Sequence, residues 1–342
     1  MTRFLVASVA AATALSMTAC GGSNDTSGPV EGSWDDVVAA ANAEGSVMLY
    51  SSQKPANLEA LKAAFTAKYP DITMDFVRGA DTELLPRIET ENRTGSGTAD
   101  VHMVTDAAWI TAASESGAYS TEVVGPDFDA ADYDRPTSVK NDTFFLSSAA
   151  VFGLGWNTAA VPGGLTTPDD LLNPDFRGRI GIVDPTGFAS YVDLYRHYAE
   201  TYGADYWDRI AELQPRVYPS ALAVAQALTS GEVVASPMVQ PLVTEVEAGA
   251  PVGWALPENP WGTPWYTHVL SASTHPNAAQ VLADFMVTPE GQAALNNGYA
   301  AALPDIPGSV ERAQSIASPD PKDLTSERVE QYSREWTQLF RG

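Results

Sequence analysis

Strand-like and helix-like segments alternate along the first third of the chain, and this alternation restricts the fold more than any other feature. Short apolar runs at 46–50, 72–77 and 99–105 are typical of buried strands. The segments between them, 57–69 and 82–91, have helical patterns. A βαβαβ order predicts a mostly parallel sheet flanked by helices. The chain is therefore expected to be an α/β protein.

A second α/β unit follows a long extended run at 147–158 that contains glycines. This unit includes a strand-like segment at 179–185, and another long extended run at 263–273 follows the unit. About 320 residues remain after the leader, which is more than a single core comfortably accommodates. Two domains are therefore expected.

The loops after the first strands are where a ligand is expected, because open α/β sheets bind ligands beyond the carboxyl ends of their strands. Polar side chains occupy these loops. They are Ser51, Ser52, Gln53, Arg78, Asp81 and Asp106.

The first residues have the layout of a secretory signal. In 1–19, Arg3 precedes an apolar stretch that is too short to span a membrane, and small residues follow. Cys20 is the only cysteine, which excludes an intrachain disulfide. Its surroundings resemble a bacterial lipoprotein lipobox, which implies lipidation of Cys20, a flexible tether at 20–32 and anchoring to the outer face of the cytoplasmic membrane. A plain signal peptide with an incidental cysteine is the alternative.

The charge of the chain excludes one class of partner. Its formal net charge of −24 argues against nucleic acid, whose phosphates require a basic surface. The same charge indicates that a lipid, rather than anionic head groups, would hold the protein at the membrane.

Five segments carry a resemblance to a known family. They are YSSQ, VRGADTELLPRI, RGRIGIVDPTGF, YPSALAVAQALTSGEV and HPNAAQVLADFMVTPEGQAAL. In this order they resemble the extracellular solute-binding proteins of ABC importers, in the branch with ferric-iron-, thiamine- and phosphonate-binding members. The likeness extends from about Gly45 to Leu295.

The resemblance implies a two-lobed α/β fold of the type II periplasmic-binding-protein kind, with mixed sheets flanked by helices and two crossover hinge strands. The first lobe would comprise 33–147 and 268–342, and the second 148–267. A small-molecule solute would be clamped between the lobes and delivered to the permease subunits of an ABC transporter, which distinguish the closed form from the open one. A monomer without a cofactor is expected.

Iron is the first ligand to consider, because part of this branch binds it. Ferric ion prefers paired tyrosine phenolates. In those relatives the pair falls after the segment GEVV, whereas no tyrosine occurs here from Gly231 to Val243. Lys54 lies close to where they have a histidine, and the chain's four histidines show no metal spacing. No metal site is expected, although an iron complex remains an alternative.

Two other ligand types stay open. Hydroxyls ahead of helices, together with Arg78, favour a polar anion such as a carboxylate or phosphonate. Asp81, Asp106 and Asp184, with aromatic residues that include Trp109, could instead surround a cation such as thiamine or a polyamine. The anion is preferred, and the predicted ligand-facing residues are Ser51, Ser52, Gln53, Arg78, Asp81, Asp106, Ser148, Thr186, Gly187, Tyr218, Ser220, Gln240, Trp261, Trp265 and Tyr266.

A secreted hydrolase is the alternative class. The sequence contains no G-x-S-x-G elbow, no H-E-x-x-H motif and no P-loop. Its 43 carboxylates form no interpretable catalytic pattern. Binding without catalysis is therefore expected.

Overall fold

The computed structural model describes residues 28–186 and 189–342. The predicted signal peptide at 1–19, the lipidation site Cys20 and the site residue Gly187 lie outside these ranges. Within them, no helix combines the length and apolar character needed to cross a membrane.

Helices and strands follow the alternation expected from the sequence. The α-helices are α1 (Trp34–Glu44), α2 (Pro55–Lys68), α3 (Asp81–Thr94), α4 (Ala107–Ser116), α5 (Arg135–Ser138), α6 (Ala189–Tyr202), α7 (Tyr206–Glu212), α8 (Ala221–Ser230), α9 (Val243–Glu247), α10 (Pro276–Met286), α11 (Pro289–Leu295) and α12 (Ser326–Arg341). The strands are β1 (Ser46–Ser51), β2 (Thr73–Arg78), β3 (Val101–Val104), β4 (Ser120–Thr121), β5 (Val139–Lys140), β6 (Phe144–Asn157), β7 (Gly181–Val183), β8 (Arg216–Tyr218), β9 (Ala235–Val239), β10 (Val252–Ala255), β11 (Trp261–Leu270), β12 (Ala300–Ala301) and β13 (Glu311–Arg312).

Local signals account for the ends of the first helix. The Ser33 hydroxyl accepts a hydrogen bond from the Asp36 backbone N–H, and the Asp36 carboxylate accepts one from the Ser33 N–H. Gly45 ends the helix at φ 73°, a left-handed conformation that glycine adopts without steric cost.

The first sheet is mixed, as expected. β1 lies between β2 and β3 in parallel, and β11 adds to β3 in the antiparallel direction. The long β6 then pairs antiparallel with β11. The parallel part brings the carboxyl ends of β1, β2 and β3 to one edge, where the predicted ligand-facing loops begin.

A second group of strands surrounds the far end of β6. β9 and β10 pair antiparallel with its last residues, and β7 pairs in parallel with β8. Helices α6, α7 and α8 pack in the same half of the molecule. The result is the two-lobed α/β architecture that the sequence predicted.

Two separate hydrophobic cores correspond to these halves, and β6 and β11 pass between them. On β6 the last residue of the first core is Val151, and Phe152 belongs to the second. On β11 Trp261 belongs to the second core and Trp265 to the first. These strands are the crossover pair expected from the two long extended runs.

The C-terminal helix departs from the predicted division. The prediction placed 268–342 with the first lobe, but α12 packs on α6 and α7 of the second. Trp336 of α12 is a buried member of the second core. The helix has an apolar stripe, and the sequence does not reveal which lobe covers it.

The end of the predicted tether also makes a contact. The Val30 N–H donates to Asn277 Oδ1 in the first turn of α10 at 2.9 Å. The last residues of the segment 20–32 therefore lie against the first lobe, whereas a tether flexible over its whole length would be free of it.

Candidate functional site

The loop after β1 carries four polar residues, 51–54, at the carboxyl edge of the first sheet. Gln53 Nε2 donates a hydrogen bond to Ser148 Oγ on β6 at 3.1 Å. Trp265 Nε1 on β11 donates to Ser52 Oγ, also at 3.1 Å. Each crossover strand thus holds the loop by one hydrogen bond.

Two residues of this loop are completely buried. Ser51 Oγ accepts from the Gln53 backbone N–H at 3.1 Å and donates to Met103 Sδ at 3.3 Å, so its hydroxyl supports the shape of the loop. Gln53 Oε1 finds no donor among the described residues. A buried acceptor without a partner is costly, and a bound hydroxyl or N–H would satisfy it.

Two positive groups lie beside the loop. Arg78 Nε donates to the Gln53 carbonyl oxygen at 3.1 Å, and Lys54 Nζ lies 5.0 Å from the centre of the Tyr299 ring. In the described part of the chain, no acceptor lies within hydrogen-bonding distance of Lys54 Nζ or of the Nη atoms of Arg78. Free donors on adjacent cations are suited to an oxyanion.

Tyr299 forms an aromatic wall beneath Lys54. Its ring contacts Trp265 edge to face, with centroids 5.1 Å apart. Burial raises the pKa of the Tyr299 phenol, and the nearby charge of Arg78 only partly opposes this. The group therefore stays a neutral phenol at physiological pH rather than the phenolate that ferric ion prefers.

Helix α9 of the second lobe approaches the first lobe close to the aromatic wall. Val243 Cγ2 lies 3.8 Å from the position that a Cβ would take on Gly298, the residue before Tyr299. Burial lowers the pKa of the Lys54 ammonium, and the negative charge of Glu245 on α9 opposes this effect.

The three acids expected near a cationic ligand are used within the protein. Asp81 Oδ2 accepts hydrogen bonds from Thr105 and from the Asp106 N–H, and Asp106 caps α4. Asp184 forms an ion pair with Arg341 at 2.6 Å. Arg341 thus neutralises Asp184 and the cap occupies one oxygen of Asp106, whereas Asp81 Oδ1 is buried without a donor among the described residues.

The predicted aromatic residues do not converge on the loop. Trp261 is buried in the second core, where its Nε1 donates to Asp193 Oδ2 at 2.7 Å. The Tyr218 hydroxyl donates to the Glu232 carboxylate just after α8, and Tyr266 lines a cavity of about 170 Å³ together with residues of the segment 313–318. Of the aromatic residues considered for a cationic ligand, Trp265 alone bonds to the loop, so the described residues assemble no cation–π box there. They are Trp109, Tyr218, Trp261, Trp265 and Tyr266.

The remaining predicted residues are spread over the second lobe. Ser220 caps α8 by accepting from the Ala223 N–H at 3.2 Å. Thr186 donates hydrogen bonds to Asp184, two residues earlier, through its backbone N–H and its hydroxyl. Gln240 is half-buried between β9 and α9.

The histidines provide no metal site. In the described residues, no group of three or more His, Cys, Asp or Glu side chains could hold a metal ion. His102 and His268 are fully buried and lie 3.0 Å apart through Nδ1 and Nε2. Burial lowers the pKa of His102 to about 3 and lowers that of His268 as well, so both are neutral core residues.

The family described as bacterial extracellular solute-binding protein matches residues 47–299. This range contains the loop after β1, both crossover strands and Tyr299. The chain belongs to this family. Its members capture a solute outside the cytoplasm and deliver it to an ABC transporter. No curated protein sequence matches the chain significantly.

Solved structures share the fold of this solute-binding protein. The substrate-binding protein of an ABC transporter from Agrobacterium tumefaciens is 15% identical, with 88% of this chain and 97% of that chain covered and a TM-score of 0.68. Iron-bound HitA from Pseudomonas aeruginosa is 20% identical, with 85% and 98% covered and a TM-score of 0.64. AfuA from Actinobacillus pleuropneumoniae, solved with fructose-6-phosphate, is 20% identical, with 87% and 99% covered and a TM-score of 0.59. At these identities the likeness extends to the fold alone.

Sequence reasoning missed one site residue of the solute-binding protein. Tyr299 follows α11 in the returning part of the first lobe. It is far from the loop after β1 in sequence, so only the folded chain brings it near. A signal for Tyr299 was its position shortly after TPEGQ.

Proposed function

We propose that this solute-binding protein captures a small organic oxyanion, such as a carboxylate, phosphonate or phosphate ester, at the loop after β1. The observation that carries the proposal is the pair Lys54 and Arg78, whose free donors flank the Gln53 peptide. Ser52 and the unpaired Gln53 Oε1 add polar groups beside them. Each charge-assisted hydrogen bond contributes about 1.5–3 kcal/mol when the pair is shielded from water.

A bare ferric ion fits this loop poorly. Two cations and a neutral phenol surround the position, and like charges repel across short distances. The bound sugar phosphate of AfuA is an organic oxyanion on the same fold, which supports the proposed ligand class. Iron-bound HitA has the same fold and favours iron as the ligand, but no paired tyrosines follow GEVV in this chain.

The exported chain is organised around this capture. We infer a signal peptide at 1–19, a lipid on Cys20 and a monomer that closes over its solute and docks on the permease. The lobes are proposed as 33–147 with 268–325, and 148–267 with the C-terminal helix added. Binding occurs without turnover of the solute.

Thermal unfolding against a solute panel tests the ligand class. The panel contains carboxylates, phosphonates, sugar phosphates, polyamines, thiamine and ferric citrate. An oxyanion at a hundred times its Kd adds about 2.7 kcal/mol of stability by mass action. Lys54→Met and Arg78→Gln should abolish that gain without lowering the melting temperature of the free protein. Stabilisation by amines or iron alone would overturn the proposal.

A further inference from the structure

A cavity outside the solute loop lies against the two crossover strands. Its volume is about 170 Å³, and its lining contains none of the loop residues 51–54. Pro264 and Tyr266 of β11 line it, together with residues of β6 and of the segment 313–318. A smaller cavity of about 80 Å³ shares Pro264, Tyr266 and Ser318 with the first. The two cavities thus form one recess beside the crossover strands, the crossover recess.

A β-bulge lies where the crossover strands pass between the recess and the loop. Trp265 of β11 pairs with Ser148 of β6, but the next residue, Tyr266, pairs with Leu146. Ser147 is therefore an extra residue on β6. Bulges of this kind change the direction of the side chains beside them and are frequent next to binding sites.

The recess and the solute loop lie on opposite faces of the same strands. Ser148 and Trp265 hydrogen-bond to the loop 51–54. Ala149 and Tyr266, which follow them directly in the chain, line the recess. Successive side chains of a strand point to opposite faces. A molecule in the recess would therefore press on the residues that hold the loop from behind.

The segment 313–318, which lines the recess, is held in place by hydrogen bonds. Gln314 Nε2 donates to Ser138 Oγ at 2.9 Å, and the Ala317 N–H donates to the Pro260 carbonyl oxygen at 3.0 Å. The recess is therefore formed without a ligand, and a preformed site loses less conformational entropy on binding.

The polar groups of the recess select an anion. Lys140 lines the smaller cavity, and its Nζ lies 4.7 Å from the centre of the Tyr266 ring. Among the described residues that line either cavity, Lys140 is the only charged one. In the described part of the chain, its ammonium and the hydroxyls of Tyr266 and Ser318 have no hydrogen-bond partner. These donors suit a carboxylate.

The apolar part of the recess sets the size of the ligand. Leu146, Ala149 and Ile316 line the larger cavity, and all three are buried. An apolar cavity of about 150 Å³ holds benzene. The larger cavity, at about 170 Å³, thus has room for one six-membered ring or a short alkyl chain.

We propose that the crossover recess is a second ligand site, which binds small monocarboxylates with a compact apolar body and stabilises the solute loop from behind. The apolar body lies against Leu146 and Ile316, and the carboxylate meets Lys140. A ligand that binds better when the loop is ordered favours that arrangement and so regulates solute binding. This inference goes beyond the proposed oxyanion capture and does not depend on it.

Calorimetry with benzoate and its neutral counterpart benzamide tests the site. Benzoate should bind the wild-type protein with a Kd of about 1 mM or tighter, and benzamide at least about tenfold more weakly. Lys140→Met removes the charge and Ser318→Phe fills the recess, so each should weaken benzoate binding about tenfold or more. Both positions are exposed, so the variants should fold. The matched control is Ser315→Phe, at an exposed position of the same segment that lines neither cavity.

Hydrogen exchange tests the effect on the solute loop. Benzoate should slow the exchange of backbone amides in 51–54 as well as in 313–318, because the same strands contact both. Benzoate is itself an oxyanion, so binding at the solute loop must be separated from binding in the recess. Lys54→Met impairs the proposed solute site and should keep both the benzoate affinity and the slowed exchange.

Three outcomes would overturn the proposal. If benzoate does not bind at concentrations up to about 10 mM, or binds Lys140→Met and Ser318→Phe as tightly as the wild type, the recess is not a site for carboxylates. If Lys54→Met abolishes binding, benzoate occupies the solute loop, which supports oxyanion capture and contradicts the second site. If benzoate binds in the recess while exchange in 51–54 is unchanged, the regulatory role is wrong.

Discussion

The indole of Trp265 donates a hydrogen bond to the hydroxyl of Ser52 at 3.1 Å, across 213 residues of sequence. The donor lies on a crossover strand and the acceptor in the loop after β1. Trp265 belongs to the first core, so this bond fixes the loop that we propose touches the solute to the first lobe.

Replacing Ser52 by Ala should weaken solute binding about fivefold, because one hydrogen bond that positions the loop is lost. Trp265→Phe keeps a ring but removes the indole donor, so it should have a similar effect. Calorimetry with the solute found in the panel measures both. Ser96→Ala, in an exposed loop, serves as the control. Full affinity in both site variants would show that the loop does not line the cleft.

Replacing Ser148 by Ala should destabilise the protein by about 1–3 kcal/mol, because the buried Gln53 Nε2 loses its acceptor. Urea unfolding measures the difference. Adding Gln53→Met to this variant removes the unpaired donor and should restore most of the loss. If the double variant lost as much free energy of unfolding as the two single variants together, the coupling between Gln53 and Ser148 would be disproved.

Acid should destabilise the protein through the buried pair His102 and His268. Burial lowers both pKa values, so the folded protein binds fewer protons than the unfolded chain below about pH 6.5. The pair contributes its full stability above that pH. As the pH falls toward the folded pKa of each histidine, the free energy of unfolding decreases by up to about 1.4 kcal/mol per pH unit for that histidine.

Urea unfolding between pH 7.5 and 4.5 measures this slope. A variant with His102→Leu and His268→Phe has no group to protonate at these positions, so its slope should be shallower. An equal slope in the two proteins would show that other groups cause the acid sensitivity.

Trp336→Ala should destabilise the second lobe by about 3–5 kcal/mol, because it leaves a cavity in the core. Leu339 lies on the same helix but is 38% exposed, so Leu339→Ala should change stability by about 0.5 kcal/mol or less. Chemical unfolding followed by tryptophan fluorescence compares them. Equal effects would mean that α12 does not complete the second core in solution.

Much of the fold was accessible from sequence because its signals are local. The capping residues Ser33 and Gly45 mark the ends of α1, and apolar periodicity marks β1, β2 and β3. The order of these elements then predicts a parallel sheet with its ligand loops at one edge. The loop 51–54 does lie at that edge, where it contacts both crossover strands.

The side chains that are free to meet a ligand could not be predicted in this way. Asp106 and Asp184 were candidates for contact with a cationic ligand. In the folded chain Asp106 caps α4, and Asp184 forms an ion pair with Arg341. Trp261 was predicted to face the ligand, yet it is buried in the second core. The outcomes at Asp184 and Trp261 depend on partners that are distant in sequence, whereas Asp106 caps the helix that follows it.

The sequence by itself determined the secondary structure, the two α/β units and the family, because these follow from periodicity, capping and order along the chain. Only the tertiary structure decided that α12 completes the second core and that Tyr299 lies beneath Lys54. Burial and electrostatic attraction act through space, so they are set by which segments meet rather than by which are neighbours in the chain.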